Sequence, residues 1–146
     1  ALLGLCMAFT GVGIAAQHPC QYAYYQPLVQ LRGTDYNELD YWNVSARDAL
    51  IRLAGIYEGE LAVEPADLWS EYALQRALAA LPDELAGRFV CLPEGGGARF
   101  VLSNPTYACF SGFSPAADMT ECVALSAYGQ PIMTIYERTA KEAVQP

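Results

Sequence analysis

The chain has 146 residues and carries 16 acidic against 8 basic side chains, a formal net charge of -8. Hydrophobic residues make up 53% and charged residues 16%, which excludes intrinsic disorder, and the length suits one core rather than two. The acidic balance and the single lysine, Lys141, leave no basic patch, which excludes nucleic acid as a partner and electrostatic docking on anionic lipid.

Residues 1–16 (ALLGLCMAFTGVGIAA) carry no charge. A bilayer span takes about 20 apolar residues, so this run reads as the end of a transmembrane helix cut by the start of the chain at Ala1. A signal-peptide core and a buried helix of a soluble domain are the alternatives. Gly4, Gly11 and Gly13 suit a membrane helix better than a soluble one. Residues 17–43 form a polar, aromatic-rich membrane-exit segment holding Tyr22, Tyr24, Tyr25, Tyr36, Tyr41 and Trp42. Rings that follow an apolar run fit a membrane–water interface, with packing into a soluble core as the alternative.

Residues 44–138 read as a small α/β extracytoplasmic domain. Ser45 is an N-cap candidate with Asp48 three residues on, and Leu50, Leu53, Ala54 and Tyr57 make one helical face that Gly59 closes. Glu60–Glu64 is a short alternating strand. Asp67 caps a helix over Leu68–Leu81 with Leu74, Ala77, Leu78 and Leu81 on one stripe, and Pro82 stops it. Strands follow at Arg88–Leu92 and Arg99–Ser103 around Gly95-Gly96-Gly97. That triplet lacks the GK[ST] ending of a phosphate loop and reads as a hairpin or tight turn. After a loop over Asn104–Thr120, Glu121–Ser126 and Pro131–Glu137 bracket Ala127-Tyr128-Gly129-Gln130, a hairpin signal. Residues 139–146 read as a frayed tail. The order predicts an α/β fold: a small mixed sheet with a strand–helix–strand crossover giving a parallel pair, two main helices and a C-terminal antiparallel hairpin.

His18 is the sole histidine, which excludes a histidine triad and a multi-histidine metal site. It orders a turn, with contact to a lipid phosphate as the sharper alternative. Asp35, Glu38 and Asp40 lie beside Tyr36, Tyr41 and Trp42. Carboxylates among rings suit a sugar site, but Asp40 just before a helix start also suits capping of backbone N–H groups, and the latter is favoured. Cys6 and Cys91 read as free and buried. Cys109 and Cys122 flank the long loop and are the disulfide candidates for an oxidising compartment. The Asn43-Val44-Ser45 sequon is explained by a Ser45 cap, and Trp69 and Tyr72 by core packing. No catalytic residue, metal set or cofactor fingerprint emerges.

Two stretches carry a resemblance. They are His18-Pro19-Cys20-Gln21-Tyr22-Ala23-Tyr24-Tyr25-Gln26 and Asn37-Glu38-Leu39-Asp40-Tyr41-Trp42, the latter followed by Ser45 and its helix. With Gly129-Gln130-Pro131-Ile132-Met133-Thr134-Ile135-Tyr136, they resemble the C-terminal extracytoplasmic domain of bacterial multi-pass membrane glycosyltransferases of the dolichyl-phosphate-mannose–protein mannosyltransferase type. Cys20, Gln26 and Asn43 depart from that pattern. The resemblance implies a parent enzyme of the C-superfamily that takes sugar from a polyprenyl-phosphate donor, with its catalytic carboxylate in an early extracytoplasmic loop. It makes this chain a non-catalytic tail on the periplasmic side of a bacterial inner membrane. Membrane lipid around the N-terminal helix, and a lipid-linked sugar or glycan acceptor, are the implied partners. His18, Tyr22, Tyr24, Glu38, Asp40, Tyr41 and Trp42 are the motif positions open to ligand contact. A stand-alone, non-enzymatic binding or assembly module with an apolar anchor or interface helix is the alternative.

Overall fold

A computed structural model describes residues 2–16, 40, 43–105, 111–127 and 129–139. Helix α1 covers Leu2–Ala16 and buries none of its residues. It is apolar round its whole circumference, and Leu2, Leu3, Leu5, Met7, Phe9 and Val12 are all exposed. At a rise of about 1.5 Å per residue it is roughly 22 Å long. Among the described residues no helix is long and apolar enough to cross a membrane. Cys6, expected to be buried, is exposed on this helix, because nothing described packs against it.

The remaining elements form one α/β unit. They are α2 (Ser45–Ile56), β1 (Leu61–Pro65), α3 (Leu68–Ala79), α4 (Asp83–Ala86), β2 (Phe89–Cys91), β3 (Phe100–Ser103), β4 (Met119–Ala127) and β5 (Gln130–Arg138). The sheet order is β2-β1-β3-β5-β4. β1 runs parallel to β2 on one side and to β3 on the other. β5 is antiparallel to both β3 and β4. The mixed sheet, the parallel pair from the strand–helix–strand unit and the terminal antiparallel pair agree with the sequence. Gly95–Gly97 does not join a hairpin, because β2 and β3 lie on opposite sides of β1.

One core forms between the sheet and the two main helices. Leu50 and Leu53 from α2 and Leu74 and Ala77 from α3 meet Leu61, Val63, Phe100, Leu102, Ile132 and Ile135. α3 packs on β1 and β3, and α2 on β4 and β5. Ala54, Tyr57 and Leu78 pack at the core's margin, as the helical spacing requires. Leu81 is buried just beyond the end of α3.

The helix ends show where local signals operate. Asp67 is the N-cap of α3: its Oδ1 accepts from the Ser70 N–H at 2.7 Å. Replacing it with alanine leaves that donor without a partner, so Asp67→Ala is expected to cost about 1 kcal/mol in denaturant unfolding. α2 differs from expectation. Ser45 is its first helical residue, Val44 occupies the cap position, and Val44 makes no side-chain cap bond. The helix ends at Ile56, before Gly59, where Tyr57 turns to an extended conformation with φ of -114° and ψ of 140°. The Arg88 guanidinium donates to Ala54 O at 3.0 Å, Tyr57 O at 2.5 Å and Gly59 O at 3.0 Å. Ala54 O is an acceptor that a helix C-terminus otherwise leaves open, and a cation is favoured there. α4 is one turn that restarts directly after Pro82, whose fixed φ suits a helix entry as well as a stop. Cys91, expected in the core, is exposed, because β2 is an edge strand that buries only Phe89.

Candidate functional site

Asp40 is the one residue of the predicted ligand-contact set that lies within the described residues. His18, Tyr22, Tyr24, Glu38, Tyr41 and Trp42 lie outside them. Asp40 is fully buried. Its carboxylate accepts from the Val44 N–H at 2.9 Å, from the Ser45 N–H at 3.3 Å and from the Ser45 hydroxyl. Asp40 therefore caps α2 from five residues upstream, the role expected of Ser45. Burial in this pocket pushes its carboxyl up to about 6 against those three hydrogen bonds, which favour the charged form.

Asn43 follows in a left-handed conformation, with φ of 54°. Its Oδ1 accepts from Asn104 Nδ2 at 2.6 Å, and both residues are buried. The sequon asparagine is thus closed in by the fold. Asn104 lies just past β3 and its N–H donates to Ser70 Oγ at 3.2 Å. Asp67, Ser70, Asn104, Asn43 and Asp40 together form a buried polar layer at the carboxyl ends of the parallel strands β1 and β3. Ligands of open α/β sheets gather at that edge. Asp67 Oδ2 is buried there without a hydrogen-bond partner. Trp69 and Tyr72, expected in the core, are about half exposed on the outer side of α3. The stripe that α3 buries runs through Ser70, Ala73, Leu74 and Ala77 and leaves both rings outside it.

The opposite end of the sheet carries a charged network that the sequence did not announce. Glu137, near the end of β5, is shared between two donors. Tyr57 Oη donates to its Oε2 at 2.6 Å, and Arg99 donates to its Oε1 from Nε at 2.9 Å and Nη2 at 2.6 Å. The bond from Tyr57 and then those from Arg99 hold the Glu137 carboxyl below its ordinary range. The same bond to Glu137 pushes the Tyr57 phenol up to about 12. The Arg99 guanidinium lies over the rings of Tyr57 at 4.8 Å and Phe100 at 4.9 Å. Glu64, on β1, is buried, and its Oε2 accepts from the Ala98 N–H at 2.9 Å while its Oε1 pairs with Arg138 Nη2. Around these groups lies a cleft of about 860 Å³ lined by Ala98, Arg99, Asp118, Thr120, Glu137 and Arg138 among others.

The Cys122 thiol sits nearby, half-buried, and donates to Ile135 O at 3.3 Å. Burial and then the charge of Glu137 push this thiol up. Its candidate disulfide partner, Cys109, lies outside the described residues. Among the described residues no group of three or more histidine, cysteine or carboxylate side chains is placed to hold a metal. No family model matches the chain, and no curated protein and no solved structure is similar to it.

Proposed function

We propose that this chain is the C-terminal, non-catalytic extracytoplasmic part of a membrane glycosyltransferase-like protein that uses a polyprenyl-phosphate-linked sugar donor. The observation that carries this reading is α1. An uncharged helix that is apolar on every side and exposed on every side needs cover, and lipid or neighbouring membrane helices supply it. The chain motifs at residues 18–26, 37–42 and 129–136 add the glycosyltransferase resemblance. The geometry of Asp40 fits a supporting role. A carboxylate that accepts three hydrogen bonds from its own helix start is occupied in holding α2 in place. On this reading the domain docks on the parent's membrane region, and the carboxylate that does chemistry belongs to an earlier loop of the parent.

An antibody raised to the chain tests this on the native gene product by size and membrane fractionation. The expected result is a band several times larger than 15.9 kDa that only detergent releases. A band near the mass of the chain in the soluble fraction overturns the reading. The stand-alone binding module, with α1 buried in an interface, is then the better account.

A further inference from the structure

The cleft at the far end of the sheet from Asp40 has a composition that selects its ligand. Its two guanidiniums are already held. Arg99 is fixed by Glu137, and Arg138 by Glu64. Both oxygens of Glu137 are taken, one by Arg99 and one by Tyr57. Both oxygens of Glu64 are taken, by Ala98 and Arg138. These two pairs cancel in charge, and the two bonds to Glu137 hold the plane of the Arg99 guanidinium. Arg99 Nη1 and Arg138 Nη1 take no part in these bonds. The side chains of Asp118 and Thr120 line the same space and make no hydrogen bond or ion pair among the described residues. The Asp118 backbone is itself anchored, because its carbonyl accepts from the Thr139 N–H at 2.7 Å.

Among the described residues the cleft therefore offers arginine donors, a carboxylate and a hydroxyl outside the two ion pairs, with one negative charge beyond those that cancel. That charge disfavours an anion, and the arginine donors disfavour a cation. A peptide in such a groove needs pockets for alternate side chains, and Ala98 is the one apolar side chain of the lining. A ligand whose every polar group both donates and accepts fits the set, and the volume lies within the usual range for small-molecule sites. We propose that the cleft binds a neutral saccharide, held by Asp118, Thr120 and the outer N–H groups of Arg99 and Arg138. This deepens the reading above by naming an acceptor-side ligand, and it rests on that reading only for where the sugar comes from.

The test is a set of backbone amide spectra of the ¹⁵N-labelled full chain in lauryldimethylamine oxide micelles, a detergent with neither sugar nor phosphate. Maltotriose and mannotriose are the neutral probes. Sialyllactose, inorganic phosphate and trialanine are the competitors. A neutral trisaccharide is expected to shift the amides of Ala98, Asp118 and Thr120 with a Kd on the order of 1 mM, and sialyllactose to bind about tenfold more weakly. Asp118→Ala and Thr120→Val should each weaken that binding about tenfold while amides outside the cleft keep their positions. Silence with both neutral trisaccharides overturns the proposal. So does equal or stronger binding of sialyllactose, phosphate or trialanine, or binding that both variants leave unchanged. None of these outcomes depends on fractionation, so a failure here is distinct from a failure of the membrane reading.

Discussion

Glu64→Ala is expected to lower the stability of the chain by about 2–3 kcal/mol, less than for a fully buried pair because the Arg138 side chain is 29% exposed. Glu64 sits on β1, fully inside the fold, and Arg138 lies at the end of β5, two strands away. The carboxylate holds three parts of the sheet at once: its own strand, the turn before β3 through the Ala98 N–H, and β5 through Arg138. Its removal leaves the Ala98 N–H without a partner. It also leaves a guanidinium whose Nε is already buried and unsatisfied. An uncompensated charge in that setting costs more than the pair contributes relative to apolar residues. The two effects separate in a double variant. Glu64→Leu combined with Arg138→Met removes both charges at similar volume and should recover part of the loss, because the Ala98 N–H still lacks its acceptor. Denaturant unfolding reads this as a fall in midpoint at unchanged slope for Glu64→Ala, partly restored in the double variant. If Glu64→Ala unfolds within about 0.5 kcal/mol of the parent, the pair is a surface contact in energetic terms and the account is wrong.

The same residue shows the limit of reading from sequence. The alternation of Glu60–Glu64 puts Leu61 and Val63 on one face and Glu64 on the other. That pattern describes a sheet with one wet face. β1 instead lies between β2 and β3, and the face carrying Glu64 is covered. The partner that makes this tolerable is 74 positions further along the chain. No local pattern pairs the two. The elements that were legible are those whose causes are local. They include the Asp67 cap, the helical stripe ending at Leu81 and the two-residue connection between the paired Ala127 and Gln130, where Gly129 takes φ of 78°. The elements misread are those whose causes come from elsewhere. α2 ends ahead of Gly59, its last turn bonded by Arg88 from 34 positions along the chain, and the edge position of β2 exposes Cys91. Trp69 and Tyr72 are apolar but sit off the buried stripe of α3, which residue type alone does not reveal. The charged cleft was missed for the same reason as Glu64. Arg99, Asp118 and Glu137 are separated in sequence and meet only because β5 inserts between β3 and β4.

Asp40→Ala is expected to destabilise the fold by about 2 kcal/mol at neutral pH. This combines a lost helix cap with an unpaired buried hydroxyl on Ser45, offset in part because a buried charge is removed. The pH dependence identifies the cause. The folded-state carboxyl titrates at about 6, above its ordinary value of 3.8, because it is buried. The folded protein therefore binds the proton more tightly than the unfolded chain. The contribution of Asp40 to stability falls as pH rises from about 4 through 6 and is level above that. Across the whole window the change is about 3 kcal/mol. Asp40→Asn removes this titration. Melting temperatures of the parent chain and of Asp40→Asn should thus diverge in the parent's favour as pH drops from 7 to 4.5. If the proposed glycosyltransferase-like parent holds, Asp40→Ala in it should lower abundance, with sugar transfer falling in the same proportion. Unchanged abundance and melting together with lost transfer would move Asp40 from supporting α2 to contacting the reacting sugar. A flat difference between parent and Asp40→Asn across that pH range would mean that folding does not raise the Asp40 carboxyl. The two measurements are independent, because one reads the proton on Asp40 in the folded chain and the other reads what the proposed parent loses without it.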